Sequence, residues 1–158
     1  MNYALIGAIS ALLAVALGAF GAHALRDRLG PALSQVFDTG VRYQMYHALA
    51  MIAVGLMRVR GGGRPDGTPA RAPGGTPAWP PGGASAPALA GGGRGTSDLL
   101  GWAGALFAAG TVLFSGSLYM LALTGVRAWG AVTPLGGGAL LAGWIVFAFG
   151  CRRAESRP

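Results

Sequence analysis

Two histidines, one aspartate–arginine pair and a group of hydroxyl side chains are the residues here whose types and spacing could do chemistry. Asp38 and Arg42 stand four apart with the acid first, the favourable order for an ion pair along one helix face. Tyr43 and His47 share that spacing on an adjacent face, so Tyr43 is placed to orient the imidazole. A histidine can trade protons at physiological pH, and an ionisable group inside an apolar segment is a functional candidate by default. His23, Ser115, Ser117, Tyr119 and Thr133 complete a candidate polar cluster. Its chemistry would be the passage of protons or of a small polar solute.

Each member also has a structural reading, and that reading carries the greater weight. His23 stands where an apolar run ends, a place to cap carbonyls or face headgroups. Asp38 and Arg42 suit a stabilising pair at a membrane interface. His47 with Tyr43 suits a hydrogen bond between helices. Ser115 and Ser117 can bond the carbonyls four residues back in their own helix. Gly136-Gly137-Gly138 looks like a phosphate loop, but the chain has no lysine, and the run reads better as close helix packing. No His, Cys and carboxylate group has metal-ligand spacing, and no nucleophile stands beside a base. Neither a cofactor nor an enzymatic activity is expected.

The elements that must position these residues are apolar helices. Only 11% of the 158 residues are charged and 53% are hydrophobic, against about 25% charged in a soluble domain. Mean hydropathy is +0.50. Four runs, over residues 3–25, 41–57, 99–125 and 131–151, are read as membrane spans. The first carries an Ala22-His23-Ala24 sequence resembling a signal-peptide cleavage site. With no basic residue before it and a length beyond an ordinary signal core, it is expected to stay as a helix. Between the first two runs, Pro31 suits a first helical turn, and Leu33, Val36 and Phe37 recur on one face. They predict a short interfacial helix before the second span, able to run on through Gly40.

About half of residues 61–97 are Gly or Pro, and no periodicity survives there. That stretch reads as a disordered insert. The chain therefore divides into spans 1 and 2 over residues 1–60, the insert over 61–97, spans 3 and 4 over 98–151, and a basic tail over 152–158. Thr133-Pro134 opens the last span as an N-cap followed by a first-turn proline. The expected fold is all-α, an integral membrane four-helix bundle.

All twelve basic residues are arginines lying between or beside the apolar runs. That placement fits lipid headgroups and topology signals rather than nucleic acid. Eight arginines fall on the side that an even number of spans gives to both termini and the insert, and four on the other. The termini are therefore expected in the cytoplasm. Cys151 has no second cysteine to pair with and reads as a packed thiol. Counted along these spans, His23, Arg42, Tyr43, His47, Ser115, Ser117, Tyr119 and Thr133 all fall in the outer half, with His47 within about 12 Å of that surface. Gly7, Ala11, Ala14, Gly18 and Ala22 form small-residue ridges, suited to close approach within the bundle, in a homo-oligomer or with a membrane partner protein.

Four ordered blocks carry a resemblance: Gly18-Ala19-Phe20-Gly21-Ala22-His23-Ala24-Leu25; Phe37-Asp38-Thr39-Gly40-Val41-Arg42-Tyr43-Gln44-Met45-Tyr46-His47-Ala48-Leu49; Leu113-Phe114-Ser115-Gly116-Ser117-Leu118-Tyr119; and Thr133-Pro134-Leu135-Gly136-Gly137. The chain, insert aside, resembles the family called domain of unknown function 423, of bacterial inner-membrane proteins and animal transmembrane protein 256. The resemblance implies four helices in a bacterial plasma membrane and no known reaction or cofactor. The insert departs from the family pattern. A structural or accessory membrane protein is the first functional expectation, and a small transporter or channel for protons or a polar solute is the second.

Overall fold

A computed structural model describes residues 1–61 and 94–155. Helix α1 spans Tyr3–Phe20, opened by Asn2, whose side chain accepts from the Leu5 amide at 3.2 Å. It runs on through a wider π-helical turn, Gly21–Leu25. Helix α2 spans Pro31–Gly61 and α3 spans Arg94–Thr124. Helix α3 stops at Gly125, whose φ of +69° a side chain would disfavour. A 3-10 turn, Arg127–Ala131, leads into α4, Thr133–Glu155.

Three of these helices are long and apolar enough to cross a membrane: Tyr3–Leu25, Asp98–Thr124 and Arg127–Ala154. Helix α2 is longer than any span needs, about 46 Å at 1.5 Å per residue. Residues 31–40 are its opening turns rather than a separate interfacial helix. Gly40 does not break the helix, because its missing side chain leaves room for the Tyr119 ring. The expected insert is shorter at both ends, since Gly61 closes α2 and residues 94–97 open α3. Its expected disorder falls on residues 62–93, outside the described ones. The expected tail begins as the last turn of α4, through Glu155.

Helices α2 and α3 form the centre, with α1 lying along α2 and α4 along α3; α1 and α4 do not pack along one another. One apolar core gathers Tyr3, Met51, Val54, Leu100, Phe107 and Leu140. A second gathers Leu25, Phe37 and Ala122 near the α1–α2 turn. The start of α1, the end of α2, the start of α3 and the end of α4 share one end of the molecule, with Gly55 on Ala4, Gly104 on Tyr3 and Gly150 on Leu100. There Tyr3 Oη donates to the Gly101 carbonyl at 2.9 Å, and Arg58 lies 5.5 Å above the Tyr3 ring.

Glycines set the crossings. A Cβ on Gly7 would lie 2.6 Å from the Ala48 carbonyl oxygen, and one on Gly143 would lie 2.8 Å from the Phe107 ring. Gly55 meets the backbone of Ala4, and Gly136 meets the backbone of Phe114. Part of the small-residue ridge is thus already used inside the fold: Gly7 and Gly18 face α2 and Ala14 is fully buried, while Ala22 is exposed. Gly55→Ala and Gly136→Ala should each lower the thermal midpoint in detergent, at an overpacking cost of about 1–3 kcal/mol. Gly138→Ala, with open space over it, should leave the midpoint unchanged or raise it.

Candidate functional site

Depth follows from which residues meet. Gly55 lies against Ala4, Gly7 against Ala48 and Ile52, Gly18 against Val41, and Gly21 against Phe37. Helix α1 therefore runs antiparallel along residues 37–55 of α2. His47 is buried among Phe107 at 5.7 Å and Trp144 at 6.1 Å between ring centroids. Phe107 stands nine residues from Asp98, about 13.5 Å from the end that carries the termini. His47 is accordingly deep, just on the termini side of the middle, and not near the opposite surface. The sequence-based depth counted from Val41, whereas the helix begins at Pro31, about 15 Å earlier.

Both imidazole nitrogens of His47 are occupied. Nδ1 lies 2.8 Å from the Tyr43 carbonyl oxygen, which can only accept, so Nδ1 carries the hydrogen. The Trp144 indole Nε1–H, which can only donate, reaches Nε2 at 3.1 Å. Together the two contacts fix the neutral Nδ1–H tautomer, and a proton on Nε2 would displace the indole. Tyr43 thus orients His47 through its backbone; its ring stacks beside the imidazole at 6.1 Å and is partly exposed.

Gln44, absent from the candidate cluster, is the centre of a second set of bonds. Its amide nitrogen donates to the Ser10 carbonyl on α1 at 3.0 Å, and its amide oxygen accepts from Tyr119 Oη on α3 at 2.8 Å. One buried side chain thus ties three helices. Ser117 Oγ donates to the Phe114 carbonyl at 2.9 Å and lies 2.9 Å from Thr133 Oγ1. The Thr133 hydroxyl therefore donates to Ser117, joining α4 to α3 rather than capping its own helix. Ser115 departs from the expected bond to its own helix: its Oγ is fully buried and has no partner, as is the nearly buried Thr111 Oγ1 one turn earlier.

The remaining candidates stay outside. Asp38 and Arg42 form the expected pair, 2.5 Å apart and mostly exposed on the outer face of α2. The arginine reaches toward the helix start, the direction of the nearer membrane surface. Exposed pairs of this kind contribute little to stability. His23 sits exposed in the π-helical turn with no hydrogen bond or ion pair among the described residues. The cluster therefore separates into a buried brace, an outward ion pair and a lone histidine. Among the described residues no group of three His, Cys, Asp or Glu could hold a metal ion.

Two missed residues had a signal. A glutamine inside an apolar run needs a partner on another helix. Trp144 lies mid-helix, away from the interfaces where tryptophan normally sits; its N–H is used inside the fold.

Comparison with known proteins places this arrangement. The family model described as a protein of unknown function, DUF423, matches residues 17–73 and 84–137. The chain belongs to that family. It is 40% identical over 144 residues to the UPF0382 membrane protein YwdK of Bacillus subtilis, covering 91% of this chain and 90% of that one. A UPF0382 membrane protein of Staphylococcus epidermidis is 37% identical over 144 residues, covering 91% and 89%. The UPF0382 inner membrane protein YgdD of Escherichia coli is 33% identical over 153 residues, covering 97% and 91%. No solved structure matches the chain. With its apolar helices and these relatives, this member of a family of unknown function is a multi-pass membrane protein of bacterial inner-membrane type.

Gln44→Leu removes two interhelical bonds and should cost roughly 1 kcal/mol, at about 0.6 kcal/mol per bond inside a membrane protein, read as a lower thermal midpoint. In 15N NMR of histidine-labelled protein at neutral pH, His47 should show a protonated Nδ1 and a bare Nε2. Trp144→Phe should remove the indole bond and lower the midpoint by leaving buried Nε2 without a donor.

Proposed function

We propose that the protein is a structural or accessory component of the bacterial plasma membrane, without catalytic activity. The single observation that carries this reading is the use of three buried polar side chains: Gln44, His47 and Ser117 each hold one helix to another. Transport through His23, Arg42, Tyr43 and His47 has less support, because His23 and Arg42 face outward while His47 is held at both nitrogens.

In this reading α2 is a fourth span, completing two hairpins that each leave and return to one side. Arg58, Arg152 and Arg153 at the end that holds the termini favour the cytoplasm there. The sequence blocks that suggest kinship with animal transmembrane protein 256 belong to the same reading. The protein works with a membrane protein partner or with further copies of itself. Gly7 and Gly18 of α1 are already taken by α2, so such contacts use the rest of its surface or other helices.

Native mass spectrometry of the tagged protein, extracted mildly from its own membrane, tests this. The expected result is a stoichiometric protein partner or a defined oligomer, and His47→Ala should weaken that assembly. Recovery as a single chain, together with solute or proton flux lost in His47→Ala, would favour transport instead.

A further inference from the structure

A cavity of about 610 Å³ lies between the end of α1 and the first turns of α2. Gly21 and Ala22, in the π-helical turn, and Arg26 just after it form part of its wall. Ser34, Gln35 and Asp38 line it from α2. Ala22, Arg26 and Gln35 are exposed, so the cavity opens to its surroundings. The first apolar span ends at Leu25, which sets Arg26 one residue beyond it, at the level of headgroup phosphates. Gly18 and Val41, packed against one another, mark the deep end. Gly18 lies seven residues inside the span, about 10.5 Å toward the middle of the bilayer.

Charge and depth select the occupant. Asp38 is answered by Arg42. Arg26 has no ion pair among the described residues, which leaves it the one unanswered charge of the lining. The hydroxyl of Ser34 and the side-chain amide of Gln35, neither hydrogen-bonded among the described residues, add neutral donors to the same cavity. A guanidinium suits the oxygens of a phosphodiester. The deep end, at Gly18 and Val41, offers no polar side chain and suits an acyl chain. The cavity is therefore polar at headgroup level and apolar below it, the polarity of a phospholipid, and its volume is that of a small-molecule site.

We propose that this cavity seats one phospholipid, with its phosphodiester anion on the Arg26 guanidinium and the first part of an acyl chain along Gly18 and Val41. The site stands independently of the accessory role, since it uses none of the interhelical bonds of Gln44, His47 or Ser117. Arg28 supplies a control: it is exposed, carries the same charge two residues on, and does not line the cavity. Ala22, exposed in the wall, offers a way to fill the cavity without changing its charge.

The test uses full-length protein, delipidated in a neutral detergent and titrated with dioleoyl phosphatidylglycerol, whose phosphate is its only charge; bound lipid is counted by native mass spectrometry. One lipid is expected to stay after any others dissociate. Dioleoylglycerol, with the tails but no phosphate, and glycerol 3-phosphate, with the phosphate but no tails, should each fail to displace it. Arg26→Gln should weaken binding at least about tenfold while keeping the helical circular dichroism signal and thermal midpoint, and Arg28→Gln should leave binding unchanged. Ala22→Leu should weaken it similarly; if Arg26→Gln does not fold, Ala22→Leu decides. Absence of a single retained lipid, equal weakening by Arg26→Gln and Arg28→Gln, undiminished binding in Ala22→Leu, or displacement by dioleoylglycerol or glycerol 3-phosphate would each overturn the proposal.

Discussion

Close backbone approach at glycine is the constraint on which the rest of this structure depends. Between helices in lipid there is little hydrophobic gain to collect, because the surrounding chains are as apolar as leucine. Association then relies on packing and on interhelical hydrogen bonds, and both require short distances. Gly55 on Ala4, Gly7 on Ala48 and Gly136 on Phe114 supply those distances along two hairpins. Gly143 against Phe107 does the same beside the histidine, and a side chain at any of these points would push a neighbouring helix away.

Once the helices are close, a few polar side chains can serve two neighbours each. Gln44 reaches Ser10 on one side and Tyr119 on the other, so α2 is held between α1 and α3. His47 adds a link to α4, a helix that α2 otherwise scarcely touches. In a low-dielectric interior an unpaired polar group is costly, so these bonds also fix which face of α2 turns inward. Asp38 and Arg42, four residues apart on the outer face, mark the other side of the same helix. The polarity of α2 therefore belongs to its position at the centre of the fold.

The helices were largely legible in the sequence, because an uncharged run of twenty or more residues has few alternatives to a span. The stretch set apart by its Gly and Pro content lies mostly outside the described residues, and its ends, Gly61 and residues 94–97, belong to α2 and α3. The origin of α2 was not legible. Gly40 reads as punctuation, and only the Tyr119 ring packed over it explains why the helix continues. That error carried His47 too close to the surface. The pairing of Asp38 with Arg42 needs only helical spacing and was visible; the bond from Trp144 to His47 joins residues 97 apart and depends on tertiary packing. Ser115 and Ser117 look alike in sequence, yet one bonds across helices and the other bonds to nothing, a difference set by what faces each.

The central claim is that α2 crosses the membrane as the braced centre of two hairpins. Its direct test places single cysteines by Arg28→Cys and Val59→Cys in a Cys151→Ser background and labels intact cells with a membrane-impermeant maleimide. The account predicts labelling at position 28 in intact cells and at position 59 only after the membrane is opened. Labelling of both positions from the same side would mean that α2 does not cross, and would contradict it.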